Sequence, residues 1–223
     1  MKNSKRIIGI IPARGGSKGV IGKNIKLLAG KPLIYYTIAA AKNSQYLDKV
    51  IVSTDNDEIA KVSEQYRAEV LKRPQDLARD NTPMFPVIEH VLLQNKADIV
   101  VLLQPTSPLR TNLHIDEAID RFFQGNYDSL LSCCSSHAFI WKDNQDSAFA
   151  LNYDFKKRIN RQDKEPEYKE NGAIYISKYE VLMQDRHILD RKVGLYVMPK
   201  ECSLEIDDEF DFKLSEEIKK YEN

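Results

Sequence analysis

Short, β-branched apolar runs alternate with helix-like stretches along most of this chain, and that alternation constrains the fold more than any other feature. The runs lie at Arg6–Pro12, Lys49–Thr54, Glu69–Lys72, Asp98–Gln104, Ser129–Ser135, Gly172–Ser177 and Val193–Met198. Turn-forming residues flank them, so they read as buried strands. Between them, Pro32–Lys42 opens with proline at its first turn and sets Leu33, Ile34, Ile38 and Ala41 at helical spacing. Asp57–Arg67 follows a cap at Asp55 or Asn56, and Thr82–Gln94 and His114–Phe123 continue the rhythm. Glu209–Tyr221 predicts a last helix with Phe210, Leu214 and Ile218 on one face. Strand and helix alternating at this pitch predict a mostly parallel, doubly wound α/β sheet with helices on both faces.

The 223 residues suit one domain, 1–223, and 42% hydrophobic residues supply one core. An inserted excursion at about 137–170 breaks the rhythm: it is polar, with aromatic islands at Phe139–Trp141 and Phe149–Phe155. A loop of that length in a compact domain is usually functional or carries structure of its own. Lys+Arg and Asp+Glu both number 33, and this balance excludes a general nucleic-acid binder. Cys133, Cys134 and Cys202 make neither a disulfide framework nor a zinc motif and read as reduced thiols. The apolar stretch Ile7–Ala13 is too short for a signal core, and no run approaches a membrane span. A cytoplasmic protein is expected.

The first chemistry-bearing segment is Ile7–Asn24, IIGIIPARGGSKGVIGKN. A strand runs into a loop holding Gly15, Gly16, Gly19 and Gly22 beside Arg14, Lys18 and Lys23. Glycines let backbone N–H groups turn inward as an anion nest, and the cations balance phosphate charge. The dinucleotide fingerprint is absent, and so is the P-loop: Ser17 stands where its first Gly is needed, and Asn24 follows Lys23. A solvated basic loop is the alternative reading. Gln104-Pro105-Thr106-Ser107-Pro108 follows a strand at its carboxyl end, where open α/β sheets bind ligands. Gln104 and Ser107 could bond a ligand there, or the turn could satisfy its own backbone. Glu205, Asp207, Asp208, Glu209 and Asp211 could hold Mg²⁺ or cap the final helix.

PARGGSKG followed by GKN resembles the triphosphate loop of the acylneuraminate cytidylyltransferases. Val52–Asp55 (VSTD), Arg73-Pro74, Leu102–Arg110 (LLQPTSPLR), Asn171–Ile176 (NGAIYI) and Ser203–Asp211 (SLEIDDEFD) follow in that family's order, across almost the whole chain. The resemblance implies a Rossmann-like nucleotidyltransferase sheet with an inserted dimerisation excursion. It also implies transfer of CMP from CTP to the anomeric hydroxyl of a nine-carbon nonulosonic (sialic-type) acid, with release of pyrophosphate. By the same resemblance, nucleotide binding falls to Ala13, Arg14, Gly15, Ser17, Lys18, Lys23, Asn24, Arg73 and Thr82. Arg14, Lys18, Lys23 and Gln104 would serve the reaction, and Gln104, Ser107, Lys142, Arg161 and Lys169 the acidic sugar. Asp207 and Glu205 would hold Mg²⁺, or Mn²⁺ in its place, and the molecule would be a homodimer.

The chain departs from the family in two places. Glu205-Ile206-Asp207 replaces the usual Asp-x-Asp, and Lys169-Glu170 stands where arginine-proline is more usual. A lysine cannot reproduce bidentate carboxylate binding. With the apolar HAFIW stretch at His137–Trp141, this opens a legionaminate-type acid beside N-acetylneuraminate as acceptor. A CMP-Kdo synthetase or another sugar-nucleotide pyrophosphorylase is the nearer rival. Relatives acting on Kdo carry an acidic residue soon after the strand-end Gln, where this chain has Pro105-Thr106-Ser107. A non-catalytic nucleotide-binding module is the distant rival, and it would not need both the basic loop and the acidic cluster.

Overall fold

A computed structural model describes residues 4–16, 19–157, 160, 163 and 165–221. In chain order its elements are β1 (Ile7–Pro12), β2 (Leu27–Leu28), β3 (Lys31–Pro32), α1 (Leu33–Lys42), β4 (Lys49–Thr54), α2 (Asp57–Gln65) and β5 (Glu69–Lys72). Then come α3 (Met84–Leu92), β6 (Ile99–Leu103), α4 (Asn112–Gln124), β7 (Ser129–Ser136), β8 (Trp141–Asp143) and β9 (Ala148–Ala150). The chain continues through β10 (Glu167–Lys178), α5 (Tyr179–Asp185), β11 (Val193–Val197) and α6 (Glu209–Tyr221).

Seven strands form one sheet in the order β11-β7-β10-β6-β1-β4-β5. Every pair is parallel except those of β10, which runs antiparallel to both β6 and β7. The period-two geometry of a strand sorts the apolar side chains of β1 to two faces. Ile7 and Ile11 pack with Ile34 and Ile38 of α1 and Phe122 of α4. Ile8 and Ile10 pack with Ile88 and Val91 of α3. A strand apolar on both faces needs helices on both faces, and the doubly wound sheet follows.

Asn56 settles the start of α2: its side chain accepts from the N–H groups of Glu58 and Ile59. At α6 the expected face is wrong. Phe210 is 72% and Leu214 42% exposed, while Phe212 and Ser215 are buried. The helix docks on Val20, Leu28, Leu33 and Ile206 rather than on the sheet, and Phe212 is the side chain that fits there. The excursion holds a small exposed hairpin, β8–β9. Its last residues belong to β10, which starts at Glu167 rather than Gly172 and is kinked by a bulge between Glu170 and Tyr175. Helix α5 and the β2–β3 hairpin were not expected from the sequence.

Candidate functional site

A cavity of about 390 Å³ opens where Pro12, Arg73 and Gln104 leave the carboxyl ends of β1, β5 and β6. Three cations (Arg14, Lys23 and Arg73) and two carboxylates (Glu205 and Asp207) line it. The loop after β1 is tied down residue by residue. The N–H of Ala13 donates to Ser53 O at 2.9 Å, and that of Gly15 donates to Asp55 Oδ1 at 3.0 Å. Asn24 is buried and donates from Nδ2 to Arg14 O at 3.0 Å, folding the loop back on itself. Gly22 adopts φ 63°, and Gly19 lies so close to the acidic segment that a Cβ would sit 2.0 Å from Asp207 O. Any side chain at residue 19 would push the two segments apart.

Lys23 Nζ donates to Ile206 O at 2.7 Å, between the two cavity carboxylates. Burial pulls its pKa down, and the charges of Asp207 and Glu205 oppose that shift. Arg14 pairs with Asp80 at 2.7 Å. The Arg73 side chain is only 4% exposed and stands 4.0 Å from Asp55, yet its Nε and Nη2 find no partner among the described residues. Burial lowers its pKa, Asp55 opposes the shift, and Arg14 adds to it. Buried donors without acceptors cost free energy, and Arg73 carries two of them in the wall of this cavity.

Across the cavity, Thr106 Oγ1 lies 3.4 Å from both Gln104 Oε1 and Glu205 Oε1. The Ile206 N–H donates to Thr106 O at 2.8 Å and ties the acidic segment to the strand-end turn. Burial first, and Asp207 second, raise the pKa of Glu205. Gly172, at φ 67°, leaves room for that carboxyl group; a Cβ there would sit 2.7 Å from Glu205 Oε1. The capping question resolves in favour of Asp208, which accepts from the N–H groups of Phe210 at 2.8 Å and Asp211 at 3.0 Å. The Asp207 side chain is left to the cavity.

The structure therefore brings together Arg14, Lys23, Asn24, Arg73, Gln104, Glu205 and Asp207. It keeps others away. Ala13 is buried behind the loop, and Gly15 has given its N–H to Asp55. Thr82 lies off the cavity and donates its hydroxyl to Asp76 O at 3.3 Å. Ser107 is 1% exposed and turned toward Asn171 O at 3.5 Å, so it presents no surface to a ligand. Lys142 is exposed on β8. Ser17, Lys18 and Arg161 lie outside the described residues.

Lys169 lines a different cavity of about 530 Å³, with Ser135, His137, Lys200 and Leu204 among its walls. The two cavities adjoin: Leu204 and Glu205 are chain neighbours on their respective walls, and the Lys169 charge acts on Glu205. Sequence reading missed Lys200, because a lone lysine beside an acidic cluster carries no pattern. It also missed Arg110, which is buried and donates from Nη1 to Gln104 O at 3.1 Å and Ala173 O at 2.8 Å. Burial pushes the Arg110 pKa down to about 9. This guanidinium clamps the end of β6 to β10, and the lone charge closing LLQPTSPLR was its only signal.

An open α/β sheet that gathers three cations and two carboxylates at the carboxyl ends of its strands has the architecture of a ligand-binding α/β protein. The chain belongs to the cytidylyltransferase family, whose pattern matches residues 8–223. It is 38% identical to an N-acylneuraminate cytidylyltransferase of Escherichia coli O18:K1:H7, over 98% of this chain and 53% of that protein. It is 36% identical to N-acylneuraminate cytidylyltransferase A of Danio rerio, over 97% and 51%. The chain thus spans about half the length of these relatives. With a Campylobacter coli protein named post-translational flagellin modification protein B it shares 33% identity, over 97% of this chain and 96% of that one. In fold it is similar to a CMP:2-keto-3-deoxy-manno-octonic acid synthetase complexed with CTP, at TM-score 0.75 and 15% identity, over 98% of this chain and 100% of that one. Among the described residues no helix is long and apolar enough to cross a membrane.

Proposed function

We propose that this chain transfers CMP from CTP to the anomeric hydroxyl of a nonulosonic acid, releasing pyrophosphate. One observation carries the reading: Arg14, Lys23 and Arg73 line the same cavity as Glu205 and Asp207. Cations alone would serve any polyphosphate, whereas carboxylates beside them repel a bare one and suit a polyphosphate carrying a divalent cation. Asp207 and Glu205 would hold Mg²⁺, or Mn²⁺, which when bound offsets phosphate charge. The donor set fits such an ion. Two carboxylate side chains, Glu205 and Asp207, line one cavity. Mg²⁺ commonly completes its shell with water and phosphate oxygens.

In the reaction the acceptor's 2-hydroxyl attacks the α-phosphorus of CTP in line. Arg14, Lys23 and Arg73 bind the triphosphate and stabilise the charge that gathers on the departing pyrophosphate. Gln104 and Thr106 line the nucleotide cavity with Glu205, and Lys169 and Lys200 of the second cavity receive the acceptor's carboxylate. The names of the longer relatives support an N-acylneuraminate acceptor. A second reading, a legionaminate-type acid, is favoured by Lys169 in place of arginine.

The active molecule would be a cytoplasmic homodimer. Trp141 stacks against Tyr153 and Phe155, yet Ile140, Trp141, Phe149 and Leu151 remain 41–55% exposed on and beside the β8–β9 hairpin. Apolar surface of this kind marks an interaction site. The founding experiment is pyrophosphate release from CTP, assayed with and without sugar acids. Release that depends on a nonulosonic acid is the expected result. Release independent of any acid, or no release with any, would overturn the proposal.

A further inference from the structure

The Asp55 carboxylate lies where three parallel strands end. The ladder between β1 and β4 runs to the Pro12–Ser53 pair and continues one step further, with Ala13 N–H donating to Ser53 O at 2.9 Å. At the next step no backbone carbonyl is used. Gly15 N–H donates instead to Asp55 Oδ1, at 3.0 Å. On the other side, Arg73 N–H donates to Thr54 O at 2.8 Å, extending the pairing of β4 with β5, and Arg73 Nη2 stands 4.0 Å from the same Asp55 Oδ1. Asp55 itself is held between Thr54, whose hydroxyl accepts from Asn56 N–H at 3.1 Å, and the Asn56 cap of α2. Its side chain is 13% exposed.

We infer that Asp55 is a positioning residue for the nucleotide. Its oxygen links the loop that carries Arg14 to the strand end that carries Arg73, so that both cations face one cavity. Those two charges repel each other, and Asp55 offsets part of that repulsion when no triphosphate is bound. At 4.0 Å it does so through charge, without engaging Arg73 Nη2 in a hydrogen bond. Asp55 faces the guanidinium of Arg73 and the Gly15 amide, and it reaches a substrate only through them.

The inference rests on the CTP reading above, and two variants separate the failure of one from the failure of the other. Asp55→Ala removes both the acceptor and the charge; Asp55→Asn keeps an acceptor oxygen for Gly15 N–H and removes the charge. CTP binding is measured by calorimetry, and turnover by pyrophosphate release at saturating substrates. We expect Asp55→Ala to weaken CTP binding and lower kcat by about tenfold or more each, with Asp55→Asn recovering most of the kcat loss, because loop registration matters steeply to near-attack geometry. With Asp55→Asn, CTP should also raise the melting temperature more than it does in the wild type, because the triphosphate restores the missing negative charge. Wild-type protein that binds no CTP would refute the functional reading itself. Wild-type binding and turnover matched within about twofold by a folded Asp55→Ala would refute the positioning role alone.

Discussion

At the scale of single residues, the site depends on charges that have lost their water. Lys23 and Arg73 sit with lowered pKa values chiefly because of burial, and Glu205 with a raised one for the same reason. Groups in this condition bind countercharge strongly, since the desolvation cost is already met by the fold. Replacing Arg14 or Lys23 with Ala should therefore lower kcat/KM by one to several orders of magnitude, about 3–4 kcal/mol of transition-state stabilisation. Steady-state kinetics at subsaturating CTP checks this; wild-type values for either variant would remove that residue from the triphosphate site. Asp207→Asn makes a sharper test because the helix cap belongs to Asp208. Its melting temperature should stay near wild type while activity falls and the Mg²⁺ requirement rises. Full activity at low Mg²⁺ would show that the Asp207 charge is not needed.

At the scale of elements, the strand ends place the candidate site, and the excursion carries the surface proposed for assembly. The QPTSP turn after β6 is held from behind by Arg110 and from the side by the Ile206 N–H, so Gln104 and Thr106 move only if β6, β10 or the acidic segment moves. The β8–β9 hairpin is tied to β10 at its base, where Asn152 Nδ2 donates to Glu167 Oε2 at 2.7 Å, and its exposed aromatic surface is the face proposed to receive a second copy of the chain. Trp141→Lys should shift the sedimentation coefficient toward that of a monomer and depress activity without unfolding the sheet, because the hairpin lies outside both apolar cores. Mixing a Lys23→Ala chain with a Lys142→Ala chain, with mixed dimers shown to form, would restore part of the activity if sites are shared across the dimer. A fully active monomer at assay concentration would end the shared-site idea.

At the scale of the whole molecule, the proposed function assigns the nucleotide to one cavity and the acceptor to the other. Lys200→Ala should lower kcat/KM for the sugar acid about tenfold or more with KM for CTP nearly unchanged, as expected when a charged hydrogen bond is lost. Equal loss for both substrates would place Lys200 elsewhere in the mechanism. Competition between N-acetylneuraminate and legionaminate for limiting enzyme reads the acceptor directly, and a large preference for the first would set the second reading aside. The strands and helices of the core were legible in the sequence because a buried strand and an amphipathic helix each impose a period on their own residues. Ile8 and Ile10 announce one face and Ile7 and Ile11 the other without reference to anything distant. Arg14, Lys23, Gln104 and Asp207 could be named through their motifs. Other assignments turned on contacts between residues far apart in the chain: Asp208 rather than Asp207 as the cap, Ser107 turned inward, Phe212 rather than Phe210 buried, Lys200 beside Lys169, and Asp55 between Gly15 and Arg73. Periodicity is a local property, fixed by the geometry of one element. Burial and charge pairing at a site are properties of neighbours that only packing brings together, and for those the tertiary structure alone decided.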